Sequence, residues 1–150
     1  MNRLPFLIVE TGRPLASLRR YGRFPHWIRV AAGLEEQETV VVDAEHGDPL
    51  PDVRGYAGVL VTGSAAYVTD RADWSERSAA WLREAVHGGS PVFGICYGHQ
   101  LLAHALGGQV DYNPAGRESG TIELSLDPAA RLDPLFSGLP SRFPAHATHM

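Results

Sequence analysis

The chain has 150 residues and 44% hydrophobic content, enough for one domain with a buried core. Its 13 basic and 17 acidic residues give a formal charge of −4, which argues against binding to nucleic acid or to an anionic membrane. The basic group Arg19, Arg20 and Arg23 is interpreted as a solvated face. No apolar run reaches the length of a membrane span, and the apolar part of "MNRLPFLIVE" is too short for a signal peptide. We expect a cytoplasmic protein.

Four continuously apolar runs predict short strands that are covered on both faces, as in a parallel sheet. They are "PFLIV" at 5–9, "ETVVVDA" at 38–44, "AGVLVTG" at 57–63 and "PVFGI" at 91–95.

Three segments between or after these runs predict helices. "FPHWIRVAAGL" predicts a helix that starts after Pro25 and ends near Gly33. "DWSERSAAWLREAVHGG" has an apolar face and ends at two glycines, and Asp73 is expected to cap it. A third helix follows Cys96 and also ends at two glycines. The alternation predicts an α/β fold: an open, doubly wound, mostly parallel sheet with helices on both faces.

The last forty residues differ in composition, since they contain five prolines and one strand-like run, "GTIELSL" at 120–126. We expect residues 1–110 to form the α/β core and residues 111–150 to begin a proline-rich, β-rich excursion. Because "FPAHATHM" ends the chain without a visible closing element, we expect a chain that is C-terminally incomplete or naturally truncated.

Cys96 is the only cysteine, and it lies on the predicted sharp turn between the fourth strand and the third helix. Gly94 and Gly98 flank it as in a nucleophile elbow, where the tight turn leaves no space for Cβ atoms. The partial positive charge at a helix N-terminus stabilises a thiolate. A single cysteine is more commonly a small buried apolar residue, but this local pattern favours a nucleophile.

A thiolate that attacks a carbonyl creates an oxyanion, which requires N–H donors held nearby. The backbone N–H of Tyr97, directly after the nucleophile, is one candidate. The Gly63–Ser64 turn is the other, because it follows a neighbouring strand at the edge where doubly wound folds place their sites. The sequence leaves open whether Gly63 or Ser64 donates.

These residues carry a family resemblance. "GICYGHQLLAHALGG" resembles the GxCxGxQ signature of class I glutamine amidotransferases, and "GVLVTGSAAYVTD" resembles their oxyanion-hole loop. The resemblance runs from about residue 38 to the end and is strongest to stand-alone members similar to the glutaminase domain of GMP synthase. It implies a flavodoxin-like fold, hydrolysis of L-glutamine through a thioester at Cys96, and Gln100 as a contact to the substrate's amino-acid end. It also implies a synthetase or acceptor domain as partner, and it suggests no cofactor.

In that family the general base is a histidine on a His-Pro-Glu-like segment after the elbow, but no His-x-Glu occurs in this sequence. His46 lies in a Gly/Pro loop and is not expected to be catalytic. His99 and His104 share no helix face, and His146 and His149 have no cysteine or carboxylate spaced to complete a metal site, so we predict no metal.

Three hypotheses therefore stay open. The chain is part of an active amidotransferase whose remaining part supplies the histidine and glutamate, or a catalytically incomplete member that binds glutamine or a partner protein. The third hypothesis is a related cysteine-elbow gamma-glutamyl hydrolase. Gln100 counts against it, because gamma-glutamyl peptidases of similar fold tend to have Glu at this position. Tyr97 counts against the deglycase and intracellular-protease-like hydrolases, which have His directly after the nucleophile. The sequence does not identify the ammonia acceptor.

Overall fold

A computed structural model describes residues 4–150 of the chain. Residues 1–3, which begin the stretch "MNRLPFLIVE" considered above as a signal peptide, lie outside the described residues. The chain divides into two compact units, Met1–Asp111 and Tyr112–Met150. Between residues 4 and 150, no helix is long and apolar enough to cross a membrane.

The first unit contains a four-stranded parallel sheet with the strand order β2-β1-β3-β4. The four strands coincide closely with the four apolar runs, which confirms the predicted parallel sheet. Because parallel strands end at the same edge, the residues that follow β1, β3 and β4 are neighbours there. The strands are β1 (Phe6–Glu10), β2 (Thr39–Asp43), β3 (Gly58–Val61) and β4 (Val92–Gly94).

Three helices connect or follow these strands: α1 (Phe24–Ala31), α2 (Asp73–His87) and α3 (Tyr97–Ala105). The predicted cap of α2 is wrong, because Asp73 is itself the first helical residue and Ala72, which precedes it, makes no side-chain cap bond. Short 3-10 turns complete the unit at Ala16–Tyr21, Glu36–Glu38, Val53–Gly55 and Val68–Asp70.

The main core lies between the sheet and the pair α2 and α3. Alternate strand residues point to this face, and burying each such aliphatic side chain contributes about 1.5–3 kcal/mol. Ile8 points to the opposite face and is also fully buried, and α1 packs against β1. Helices therefore pack on both faces of the sheet, as predicted. The expectation that all four strands are covered on both faces is wrong for the edge strands, since Val40 and Val41 of β2 and Phe93 of β4 are exposed. The core residues include Leu7, Val9, Val59, Val61, Leu82, Tyr97, Leu101 and Ala105.

The second unit is a β-hairpin of β5 (Glu118–Ser125) and β6 (Arg142–His149), with a 3-10 turn at Pro128–Leu132 between them. Strand β5 was predicted, but β6 was not, because Pro144 and the alternating polar residues weaken its strand pattern. Pro144 lies opposite Glu123 in this two-stranded ladder. A proline is tolerated there because its missing N–H costs nothing on an unpaired side of a strand.

Candidate active site

Cys96 lies at the carboxyl end of β4, directly before α3, as the elbow pattern predicts. Its backbone has φ 52° and ψ −107°, and within residues 4–150 only Arg71 shares a positive φ among non-glycine residues. Such a conformation costs about 1–3 kcal/mol and is typical of active sites. The residue is exposed to solvent. The turn therefore presents the thiol to solvent at the edge of the sheet instead of burying it.

The two flanking glycines are in backbone contact with their surroundings. A Cβ atom on Gly94 would lie 2.4 Å from the carbonyl carbon and oxygen of Gly98. A Cβ atom on Gly98 would lie 2.5 Å from the carbonyl oxygen of Val61. Real Cβ atoms do not approach backbone atoms so closely, so both positions require glycine for steric reasons and not for a positive φ.

Backbone hydrogen bonds tie this elbow to the end of β3. The N–H of Ile95 donates to the Val61 carbonyl at 3.0 Å, and the N–H of Gly98 donates to the Thr62 carbonyl at 3.1 Å. The strand, the elbow and the segment after β3 are thus held in register.

The Gly63–Ser64 turn lies beside Cys96. A Cβ atom on Gly63 would lie 3.7 Å from the Cβ atom of Cys96, so the turn and the elbow are in van der Waals range. The N–H of Tyr97 donates to no backbone carbonyl within residues 4–150, as expected for the first turn of a helix. The first turn of α3 and the Gly63–Ser64 turn are therefore both close to Cys96.

The side chain of Tyr97 points into the core and anchors the start of α3. It is 1% exposed, its hydroxyl lies 2.6 Å from the Ser75 hydroxyl, and its ring packs against Trp74 with centroids 5.6 Å apart. Burial raises the pKa of Tyr97. The residue directly after Cys96 thus connects the elbow to α2.

Gln100 is half-buried in the first turn of α3, and its N–H donates to the Cys96 carbonyl at 3.1 Å.

His104 lies one turn further along α3. Its Nε2 atom is 3.0 Å from a carboxylate oxygen of Glu76 and 2.9 Å from the guanidinium of Arg71. Since His104 links α3 to α2 and to the turn before it, its contacts are structural.

His46 pairs with Asp43, since its Nδ1 lies 2.9 Å from a carboxylate oxygen of that residue. The sequence did not suggest this pair. This histidine follows β2, whereas Cys96 follows β4 at the other edge of the sheet. Three strand spacings separate the two edges by about 14 Å. The His46–Asp43 pair is therefore too distant to act directly on Cys96.

Arg23 is not a purely solvated residue, contrary to the interpretation of the basic group. Its guanidinium pairs with Glu10, which is fully buried at the end of β1, and lies 3.1 Å from Asp43. Burial acts to raise the pKa of Asp43, but hydrogen bonds from Arg13 and His46 outweigh it and lower the value to about 2.

Across the two-stranded sheet of the second unit, His149 lies 2.9 Å from Glu118. This carboxylate partner was missed, because 31 residues separate the two in sequence. Within residues 4–150, no group of three or more His, Cys, Asp or Glu side chains is arranged to hold a metal ion.

A family model described as "Glutamine amidotransferase class-I" matches residues 22–150. The chain belongs to this family. A GMP synthase [glutamine-hydrolyzing] of Aeropyrum pernix is 38% identical over 103 residues, which are 69% of this chain and 18% of that protein. The "Putative glutamine amidotransferase YLR126C" of Saccharomyces cerevisiae is 38% identical over 76 residues, or 48% of this chain and 30% of that protein. This family member thus spans less than a third of the length of either relative.

The same architecture occurs in solved structures. A glutamine amidotransferase from Thermotoga maritima superposes with a TM-score of 0.72 at 18% identity, covering 99% of this chain and 61% of that one. At this identity the likeness concerns the fold alone, and it confirms the doubly wound, flavodoxin-like α/β class for this amidotransferase family member.

Proposed function

We propose that this protein hydrolyses the side-chain amide of L-glutamine through a thioester at Cys96 and delivers the ammonia to an acceptor. One observation carries the proposal: the exposed Cys96 thiol stands at a positive φ between two glycines that cannot be replaced without steric overlap. The chain's membership of the class I glutamine amidotransferase family supports glutamine as the substrate.

In the proposed first half-reaction, the Cys96 thiolate forms a bond to the amide carbon and the carbonyl electrons move onto oxygen. The N–H groups of Tyr97 and of the Gly63–Ser64 turn donate to this oxyanion. The proton that the thiol gave up is transferred to the amide nitrogen, the C–N bond breaks as the intermediate collapses, ammonia leaves and a thioester remains. Water then attacks the thioester through a second oxyanion, glutamate leaves, and the thiol is restored.

Gln100 is proposed to bind the amino-acid end of the substrate, one helical turn from the nucleophile. A role in binding predicts that Gln100→Ala raises KM more than it lowers kcat. A hydrophobic replacement of similar length, Gln100→Leu, should have the same effect, since it also lacks the amide.

Neither His104 nor His46 is proposed as the general base, although both have a carboxylate partner. His104 is held by Glu76 and Arg71, and His46 follows the opposite edge strand. Because no His-x-Glu occurs in these 150 residues, we expect them alone to turn glutamine over very slowly.

The ammonia must be consumed by a second reaction, so we propose a synthetase or acceptor domain as the partner. Relatives whose names include GMP synthase support this proposal.

The test is glutamate release from glutamine by the protein expressed from its complete gene. Cys96→Ser should abolish release while its circular dichroism matches that of the wild type, whereas Ala80→Ser, on the exposed side of α2, should retain release. Turnover retained in Cys96→Ser would refute the thioester. A wild-type protein that binds glutamine without hydrolysing it would favour the non-catalytic hypothesis instead.

A further inference from the structure

We propose that Thr11, Gly12 and Thr62 are positioning residues that fix the orientation of the Gly63–Ser64 peptide. Thr11 and Gly12 follow β1, and Thr62 follows β3. These two strands are neighbours in the sheet. The inference rests on the proposed function, because it assigns these residues to the oxyanion-binding side of that site.

Thr62 holds the peptide through its hydroxyl group. The Thr62 hydroxyl donates to the Gly63 carbonyl at 3.0 Å and accepts the backbone N–H of Thr11 at 2.9 Å. The Thr11 hydroxyl in turn donates to the Thr62 carbonyl at 2.8 Å. Both threonines are fully buried, so each lost partner would leave a polar group unsatisfied away from water, at a cost of about 1–3 kcal/mol.

These bonds determine where the N–H groups of the turn point. Within residues 4–150 every peptide bond is trans, so a carbonyl and the following N–H point in opposite directions. Since the Gly63 carbonyl is held by Thr62, the N–H of Ser64 points away from the buried threonine pair and is left available to a ligand.

The preceding peptide, between Thr62 and Gly63, directs its carbonyl and not its N–H toward the elbow. The Thr62 carbonyl accepts the N–H of Gly98 at 3.1 Å, so it points toward the elbow. The N–H of Gly63, which belongs to the same peptide, therefore points away from Gly98. This arrangement favours Ser64 over Gly63 as the second oxyanion donor.

Gly12 holds the turn from another side. A Cβ atom on Gly12 would lie 2.6 Å from the Ser64 hydroxyl oxygen and 2.7 Å from the Ser64 Cα atom. The Ser64 hydroxyl also accepts the N–H of Ala66 at 3.0 Å. Any side chain at position 12 would therefore displace Ser64 itself, and with it the N–H that the turn presents.

The experiment compares Thr62→Val, Thr62→Ser and Gly12→Ala in the protein expressed from its complete gene. Two matched controls remove a threonine hydroxyl or add a methyl group elsewhere in the same unit. Thr39→Val loses a hydroxyl bonded to the Glu36 carbonyl at the amino end of β2, and Gly55→Ala adds a Cβ atom in open space.

The rates of glutamine hydrolysis and of Cys96 alkylation together distinguish a misplaced oxyanion donor from a disrupted site. Glutamine hydrolysis passes through an oxyanion, whereas alkylation of the thiol by iodoacetamide is a direct displacement without one. We expect Thr62→Val and Gly12→Ala to lower kcat by about 10- to 1,000-fold, with KM changed by no more than about threefold. Their alkylation rates should equal that of the wild type, Thr62→Ser should recover most of kcat, and both controls should match the wild type.

The inference is overturned if Thr62→Val and Gly12→Ala keep the wild-type kcat, or if their alkylation rates fall in parallel with kcat. If the wild type hydrolyses no glutamine, the proposed function fails and the positioning is judged from crystal structures of the variants. A Gly63–Ser64 peptide in its original place in Gly12→Ala would then overturn the inference, and a displaced or flipped peptide would support it.

Discussion

Gly98 and Val61 are in direct backbone contact, because a Cβ atom on Gly98 would lie 2.5 Å from the Val61 carbonyl oxygen. The elbow can occupy its place only without a side chain there. We therefore expect Gly98→Val to lower the free energy of unfolding by about 1–3 kcal/mol or more and to displace Cys96. Gly55→Val is the control, since a Cβ atom there meets nothing within 4 Å. Lost glutaminase activity in Gly98→Val without any structural change at the elbow would contradict this explanation.

The bond between Tyr97 and Ser75 predicts a non-additive pair of substitutions. Tyr97→Phe leaves the buried Ser75 hydroxyl without its 2.6 Å partner and should cost about 1–3 kcal/mol of unfolding free energy. The backbone N–H is unchanged, so glutaminase activity should persist. In Tyr97→Phe/Ser75→Ala both polar groups are removed, and the loss should be smaller than the sum of the two single losses. Strict additivity in urea denaturation would show that the hydrogen bond contributes nothing.

Tyr97 also predicts a response to alkaline pH. Its raised pKa means that the folded state disfavours the phenolate, so the unfolded state gains relative stability once the pH exceeds the ordinary value of 10.0. Tyr97→Phe should lose less stability than the wild type between pH 9 and about pH 11. Parallel stability curves for the two proteins over this interval would contradict the prediction.

Asp43 predicts a response to acid. Its pKa in the folded state is about 2, below the ordinary 3.8, so its stabilising contribution is complete above about pH 4 and is lost as the pH falls through 2. At pH 7, Asp43→Asn should lower the free energy of unfolding by about 1–2 kcal/mol, allowing for solvent screening. The difference from the wild type should shrink toward pH 2.

Asp70→Asn, at an exposed carboxyl group, is the control for this comparison. A difference between wild type and Asp43→Asn that stayed constant from pH 7 to about pH 2 would show that the ionised carboxylate is not the stabilising form.

Local sequence determined the features that were predicted well. Strands β1 and β3 are short apolar runs because both of their faces are covered, and Gly94 is required by its contact with Gly98, only four residues further along the chain. Such constraints are visible without knowledge of the rest of the chain.

Features that depend on distant residues could not be predicted in this way. Thr11 and Thr62 are 51 residues apart, and either alone reads as an ordinary polar residue after a strand. Arg23 was misinterpreted because its partner, Glu10, is an acidic residue at the end of an apolar run. Strand β6 was missed because its pairing with β5, and not its own composition, makes it a strand. The available signal was that Thr11 and Thr62 are polar residues that follow adjacent parallel strands.

The measurement that tests the central claim most directly is intact-mass analysis after incubation with a diazo-ketone analogue of glutamine, followed by peptide mapping. Cys96 is the only cysteine in these 150 residues, so a thiol adduct on them reports on this residue alone, and peptide mapping separates it from any adduct elsewhere in a longer protein. The proposed mechanism predicts one adduct, on Cys96, in the protein expressed from its complete gene, much slower labelling of the 150-residue chain, and protection by glutamine. The absence of an adduct in both proteins would contradict a nucleophilic role for Cys96.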